Sequence, residues 1–275
     1  MSIEVRHLTH IYSKGTLGEC KALDDVSLTI KDGSFTCLVG RTGCGKSTLV
    51  QHLNGLLIPD EGEIQVGEYL LSSKRNKSTK KLTELRKKVG IVFQFPEYQL
   101  FEETVLKDVA FGPSNFGLKK DEAIKLAKEC LSIVNIPEEY YEKSPFELSG
   151  GEKRRVAIAG LLASSPDVLI LDEPTAGLDP KSSKELLELF KSLNESGKTI
   201  ILVTHDMNIV FEYASEVVVM KNGQIAKQCP PNELFLSDEE EYSLETPLIA
   251  KFIQKLNDKG MKLVGDCLVG FTYDE

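Results

Sequence analysis

The stretch GRTGCGKST, Gly40 to Thr48, fits the pattern G-x-x-x-x-G-K-[ST] and stands between a predicted strand and a predicted helix. Gly40, Gly43 and Gly45 let backbone N–H groups turn inward around phosphate oxygens, with Arg41, Thr42, Cys44 and Thr48 completing the loop, while the following helix presents its positive end. Lys46 supplies a point charge for β- and γ-phosphates, and Ser47 a hydroxyl for Mg²⁺. A second stretch, VLILDE, ends in adjacent carboxylates at Asp172 and Glu173. Such a pair can divide the labour, Asp172 on the metal and Glu173 polarising an attacking water. A strand ending in Asp-Glu is commonplace alone. Paired with the Lys46 loop it reads as nucleoside triphosphate hydrolysis. A third stretch, SGGE at Ser149 to Glu152, is a capping box, and a capped helix start carrying Gly150 and Gly151 is itself an anion site.

These residues need a scaffold that brings loop ends together. Three apolar runs, Phe35 to Val39, Val168 to Leu171 and Ile200 to Val203, do not alternate, so they predict strands buried on both faces of a parallel sheet in an α/β protein. Each runs into polar chemistry, the third into Thr204-His205, which places the clusters at the carboxyl ends of the strands, where open α/β sheets bind ligands. Between Gln94 and Pro166 the pattern turns helical. Ala123, Ile124, Ala127, Cys130, Leu131 and Val134 share one helix face. Asn222-Gly223 between Val217–Met220 and Gln224–Ile225 predicts a hairpin with a type I′ turn. Ser72 to Lys81 reads as a solvated basic loop. In the tail, Leu248, Ile249, Phe252, Ile253 and Leu256 fall at helical spacing before Gly260, a stripe that either packs on its own domain or meets another subunit.

Composition excludes several classes. With 275 residues and 41% hydrophobic content, the chain can bury one large core or two modest ones. No apolar run is long enough to cross a membrane, and MSIEVRHLTH lacks the features of a signal peptide, so a soluble cytosolic chain is expected. Six cysteines without CxxC pairing argue against a zinc site or disulfide framework. The net charge of −9 lacks the basic surplus that nucleic-acid binding requires.

The run LSGGEKRRVAIAGLLASSPDVLILDEPTAGLD, Leu148 to Asp179, closely resembles the signature region of the ABC transporter ATPases. That resemblance covers roughly Ile3 to Ile225. It implies a P-loop NTPase fold of the ABC ATPase type, with a mostly parallel core sheet, an antiparallel β subdomain and a helical insert at about 95–165. The ATPase domain would span 1–228 and a helical extension 229–275. It also implies ATP and Mg²⁺ as cofactors, and a head-to-tail dimer in which each ATP lies between one chain's Lys46 loop and the other's Ser149-Gly150-Gly151. By the same resemblance Tyr12 stacks on adenine, Asp179 communicates across the dimer, and His205 holds the γ-phosphate and attacking water. Gln94 reaches Mg²⁺ and senses closure of the insert. The alternative for Tyr12 is a packed tyrosine, and for Asp179 an N-cap before Pro180-Lys181, which is compatible with its role across the dimer.

The segment VGIVFQFPEYQLFEETVLKDVAFGPSNFG resembles one subgroup, the energy-coupling-factor importers of vitamins and transition metals, in one of their two paired ATPase subunits. That implies a second ATPase subunit, a transmembrane coupling protein, a substrate-binding membrane protein and a peripheral position on the cytoplasmic face of the cell membrane. QFPEYQLF, Gln94 to Phe101, would floor the groove that takes a membrane partner's coupling helix; alternatively Phe95, Tyr98, Leu100 and Phe101 are core of the insert. Other readings are an ATPase of another ABC transporter, or a soluble mechanical ABC ATPase acting on ribosomes or DNA, which usually carries tandem cassettes or a coiled coil. Two departures stand out: Cys44 where serine is commoner, and Glu152 where the signature usually has glutamine.

Overall fold

The computed structural model describes residues 1–73, 79–236, 247 and 251. In chain order the first elements are β1 (Ile3–Tyr12), β2 (Cys20–Ile30), β3 (Phe35–Val39), α1 (Lys46–Leu53), β4 (Glu61–Val66), β5 (Tyr69–Ser72), α2 (Thr79–Lys88) and β6 (Val89–Val92). A 3₁₀ turn at Pro96–Gln99 leads to α3 (Val105–Asn115), α4 (Lys120–Ile133) and α5 (Gly150–Ala163). The remainder is β7 (Val168–Asp172), α6 (Pro180–Glu195), β8 (Thr199–Val203), α7 (Met207–Tyr213), β9 (Glu216–Lys221), β10 (Gln224–Cys229) and α8 (Pro231–Leu236).

The strands form two sheets. One is antiparallel, in the order β2-β1-β4-β5, and the other runs β10-β9-β3-β8-β7-β6, parallel except for the β9–β10 hairpin. Every residue of β3, β7 and β8 is buried. Their non-alternating apolar sequences are therefore those of strands covered on both faces, as in α/β proteins generally. One apolar cluster, centred on Phe190, Leu131 and Leu169, joins one face of this sheet to α3–α6; a second, around Leu8, Leu49 and Ile170, joins the other face to α1 and the antiparallel sheet. Each fully buried large side chain contributes about 1.5–3 kcal/mol to that packing.

The helices follow the expected faces. Ala123, Ala127, Cys130 and Leu131 of α4 are buried, with Val134 behind them. At the hairpin, Asn222 and Gly223 both have positive φ, 52° and 79°, as a type I′ turn requires. Of the predicted basic loop Ser72 to Lys81, Ser72 ends β5 and Thr79 to Lys81 begin α2, which buries Leu85, while residues 74–78 lie outside the described residues. The five described cysteines, Cys20, Cys37, Cys44, Cys130 and Cys229, are all free thiols. Among the described residues no helix is long and apolar enough to cross a membrane. The tail stripe at Leu248 to Leu256 lies outside the described residues.

Candidate nucleotide site

Strand ends build the site. β3 delivers the chain into Gly40, whose φ of 144° suits only glycine and where a Cβ would run into the Met220 carbonyl oxygen. Gly45, with φ 107°, has the Ala22 carbonyl where its Cβ would stand, and its position as N-cap of α1 leaves that helix start bare toward the loop. Lys46 is buried, and its ammonium donates to the carbonyls of Gly40 at 2.7 Å and Arg41 at 3.0 Å, so the charge is held at the centre of the loop. A polyphosphate placed there meets a helix N-terminus, inward amide groups and one fixed cation.

An open cleft of about 770 Å³ surrounds this loop. Thr42, Gly43, Gly45, Lys46, Ser47 and Thr48 form its floor, and Gln94, Asp172, Glu173 and His205 one wall. Tyr12 stands at the rim, 39% exposed, its hydroxyl 3.3 Å from the Thr48 Oγ1. A partly exposed ring beside a phosphate loop suits stacking with a planar base. Gly40, Arg41 and Cys44 belong to the loop without lining the cleft. The Cys44 thiol packs into the second apolar cluster, with Sγ 3.9 Å from the Lys46 Nζ.

Glu173 is the pivot of the acidic wall. It follows β7 with φ of 49°, a strained conformation for a residue bearing a Cβ, and its N–H donates to the Val203 carbonyl at 3.0 Å. One carboxylate oxygen accepts from Gln94 Nε2 at 3.3 Å, and the other lies 3.2 Å from His205 Nδ1. The backbone thus aims the carboxylate, and two side chains from separate loops hold it. Asp172 is buried at the end of β7 and shares a hydrogen bond with Ser47. Burial raises its pKa above the usual carboxylate range, with Glu173 adding to the rise, and the hydrogen bond to Ser47 and the Lys46 charge opposing it. A carboxylate and a hydroxyl side by side are hard oxygen donors of the kind Mg²⁺ takes, usually together with phosphate oxygens and water. Gln94 contacts Glu173 instead of this pair.

The signature residues lie apart from the cleft. Ser149 caps α5, its N–H and hydroxyl donating to the Glu152 carboxylate at 2.8 and 2.7 Å, which holds Glu152 below its ordinary pKa. Gly150 is exposed and Gly151 half-buried. Asp179 caps α6 by accepting from the Ser182 N–H at 3.0 Å, and hydrogen bonds from the Ser182 side chain and then its N–H lower its pKa. Neither group lines the Lys46 cleft. Sequence reasoning missed Cys20, Lys21, Ala22, Asn222 and Gly223, which close the opposite wall. Only Asn222-Gly223 carried a signal, and it announced a turn.

The groove stretch divides. Phe95, Tyr98 and Phe101 are 48%, 84% and 57% exposed, and Phe111 of α3 packs edge-on against Phe101 at 4.8 Å between ring centres. Leu100, at 6% exposure, belongs to the first apolar cluster, and Pro96 is buried. Leu100 is therefore core, whereas the three aromatics are surface.

Residues 23–176 match the family model described as ABC transporter. The chain is 52% identical over 263 residues to the energy-coupling factor transporter ATP-binding protein EcfA2 of Streptococcus pneumoniae, covering 95% of this chain and 94% of that one. It is 54% identical to the EcfA2 of Ligilactobacillus salivarius, over 94% of this chain and 90% of that one. Among solved structures, cbiO1 from Clostridium perfringens, part of the ABC transporter complex cbiONQ, aligns with a TM-score of 0.75 at 40% identity, over 92% of this chain and 98% of that one. A dimeric post-hydrolysis state of the ATP-binding cassette MJ0796 bound to ADP and Pi aligns with a TM-score of 0.75 at 32% identity, over 83% of this chain and 98% of that one. On its fold, its phosphate loop and these relatives, the chain belongs to the ABC transporter ATPases, and within them to the ATP-binding subunits of energy-coupling factor transporters.

Proposed function

We propose that this subunit hydrolyses MgATP at the Lys46 cleft with Glu173 as the general base, and that it energises an importer of vitamins or transition-metal ions. The observation that carries the catalytic part is the Glu173 carboxylate held between Gln94 and His205 at the edge of the phosphate loop. Lys46 holds the β- and γ-phosphates, Tyr12 the adenine, and the loop from Gly40 to Thr48 wraps the phosphate oxygens. Ser47 and Asp172 would hold Mg²⁺, with Gln94 able to approach it once released from Glu173, and the ion would supply charge neutralisation at the β- and γ-oxygens. Glu173 accepts the proton of the attacking water, while His205 orients that water and contacts the γ-phosphate.

Ser149, Gly150 and Gly151 form a capped anion site that does not reach this chain's own cleft, which supports a site completed by a second ATPase subunit. Asp179, the N-cap of α6, would report closure across that dimer. The exposed aromatics Phe95, Tyr98 and Phe101 support a socket for the transmembrane coupling protein, because clustered exposed aromatics mark interaction surfaces. The chain would then sit peripherally on the cytoplasmic face of the cell membrane, beside a membrane protein that binds the cargo. In domain terms, 1–228 would be the ATPase domain with its insert at about 95–165, and 229–275 an extension whose first helix, α8, packs back on that domain and whose remainder would contact the other ATPase subunit.

The deciding test is Glu173→Gln. ATP binding should persist while turnover falls by roughly 10²- to 10⁴-fold, the contribution of a general base, and dimers should accumulate with ATP. Turnover and ATP-dependent dimerisation by light scattering check this together. Normal turnover would move the base role to another residue, His205 first.

A further inference from the structure

Arg154 is a charged residue 4% exposed, in the second turn of α5 and outside the nucleotide cleft. Its guanidinium joins three segments that the chain holds far apart. Nη1 donates to the carbonyl of Ala176 at 2.7 Å and of Pro174 at 3.1 Å, both in the loop that leaves Glu173. Nη2 and Nε face the Glu97 carboxylate at 3.3 to 3.5 Å, in the 3₁₀ turn that follows Gln94. The helix that carries the cation starts at the signature, Ser149-Gly150-Gly151.

A buried cation must be compensated, and removing one partner leaves the other exposed to the full desolvation cost. The two sides are unequal. Charge-assisted N–H···O contacts ordinarily close to about 2.7–2.9 Å, so the Ala176 contact is at full strength while all three Glu97 contacts are stretched. Arg154 is thus firmly attached to the catalytic loop and loosely to the groove. Only the five-donor planar fork of arginine can serve both at once; a lysine ammonium cannot span them. The attached loop also carries stored strain, since Glu173 sits at φ 49°, one residue before Pro174 and three before Ala176, whose carbonyls accept from Arg154.

We infer that Arg154 is a positioning residue for ATP hydrolysis: its bonds to Pro174 and Ala176 hold the Glu173 carboxylate in place, and the Glu97 pair sets how firmly. Occupation of the groove at Glu97 then acts on the chemical step through one side chain, without touching nucleotide. This rests on the assignment of Glu173 as base, and the test separates the two.

The experiment measures ATP affinity, kcat and KM on the purified full chain. Arg154→Lys keeps the charge and loses the fork; kcat should fall by at least tenfold with ATP Kd within about twofold. Glu97→Asp keeps the charge but withdraws a carboxylate already at the limit of reach, and kcat should fall severalfold, again at unchanged Kd, which covers the case in which the arginine variant does not fold. Because Arg154 acts through Glu173, adding Arg154→Lys to Glu173→Gln should cost nothing further, as groups acting as a unit are not additive. Full kcat in both single variants would overturn the inference. So would losses in kcat and Kd of equal size that add to those of Glu173→Gln, since those describe a merely structural arginine. If Glu173→Gln alone retains full turnover, the base assignment fails instead, independently of what Arg154 does.

Discussion

His52, on α1 just beyond the phosphate loop, is completely buried. Its ring lies edge-on against His10 at 4.7 Å, and His10 in turn packs edge-on against Tyr12 at 4.6 Å. Burial, with a further push from His10, lowers the His52 pKa to about 4. In the unfolded chain an ordinary histidine titrates near 6.5. The folded state therefore binds this proton more weakly, so the stability that His52 contributes is present above about pH 6.5 and is lost as pH falls toward 4. The expected outcome is that the stability of the wild-type chain relative to His52→Leu falls by about 2 kcal/mol between pH 7 and pH 5. Urea unfolding of both chains at the two pH values checks it. A gap independent of pH would mean that the imidazole is solvated.

At the scale of elements, the 3₁₀ turn and its flanks show a surface and a core interleaved within eight residues. Leu100→Asp buries an unpaired charge in the cluster that α3–α6 share, and should destabilise the chain by about 3 kcal/mol or more. Tyr98→Asp changes a side chain that is 84% exposed and should leave stability within about 0.5 kcal/mol while abolishing co-purification with the transmembrane partner. Thermal unfolding and affinity capture from membranes distinguish the two positions. The alternation of buried and exposed is what sequence could not resolve here, because an apolar stretch of eight residues has no period. The parallel strands were legible for the opposite reason: β3, β7 and β8 are buried throughout, so hydrophobicity alone marks them. β1 was not, since its alternation of Ile3 and Val5 breaks at a bulge where His7 has φ 52°. α2 was hidden by its lysines, having little apolar surface besides Leu82 and Leu85. In the site, residues at strand ends were readable from local motifs. Arg154 and Glu97 were not, being 57 residues apart and of ordinary type.

For the whole molecule, the extension after the hairpin has a boundary that composition does not show. Leu234 and Phe235 of α8 are buried, and the Phe235 ring packs at a tilt against Phe211 of α7, 5.8 Å between centres. Truncation after Gln228 would therefore strip the core as well as the tail. Truncation after Leu236 leaves these contacts in place and should weaken association of the two ATPase subunits without ATP; equal association by analytical ultracentrifugation would assign the tail to its own domain. The chain's other end-to-end tie lies in the phosphate loop. The Gly223 N–H donates to the Cys44 carbonyl at 3.0 Å, the Gly223 carbonyl accepts from the Asp24 N–H at 2.9 Å, and β3 lies between β8 and β9 in its sheet. Residues 40–48 thus leave the ribosome long before the strands and turn that hold them in shape. At about 5–20 residues per second, the interval to residue 223 is roughly ten to thirty seconds. During that time a nascent chain carries a complete phosphate-binding sequence without the framework to use it. Nucleotide can assist only the last stage of folding, after the hairpin has closed over the loop, and a chain interrupted before that hairpin is unable to hold ATP, so it cannot occupy a transporter's nucleotide site in a competent form.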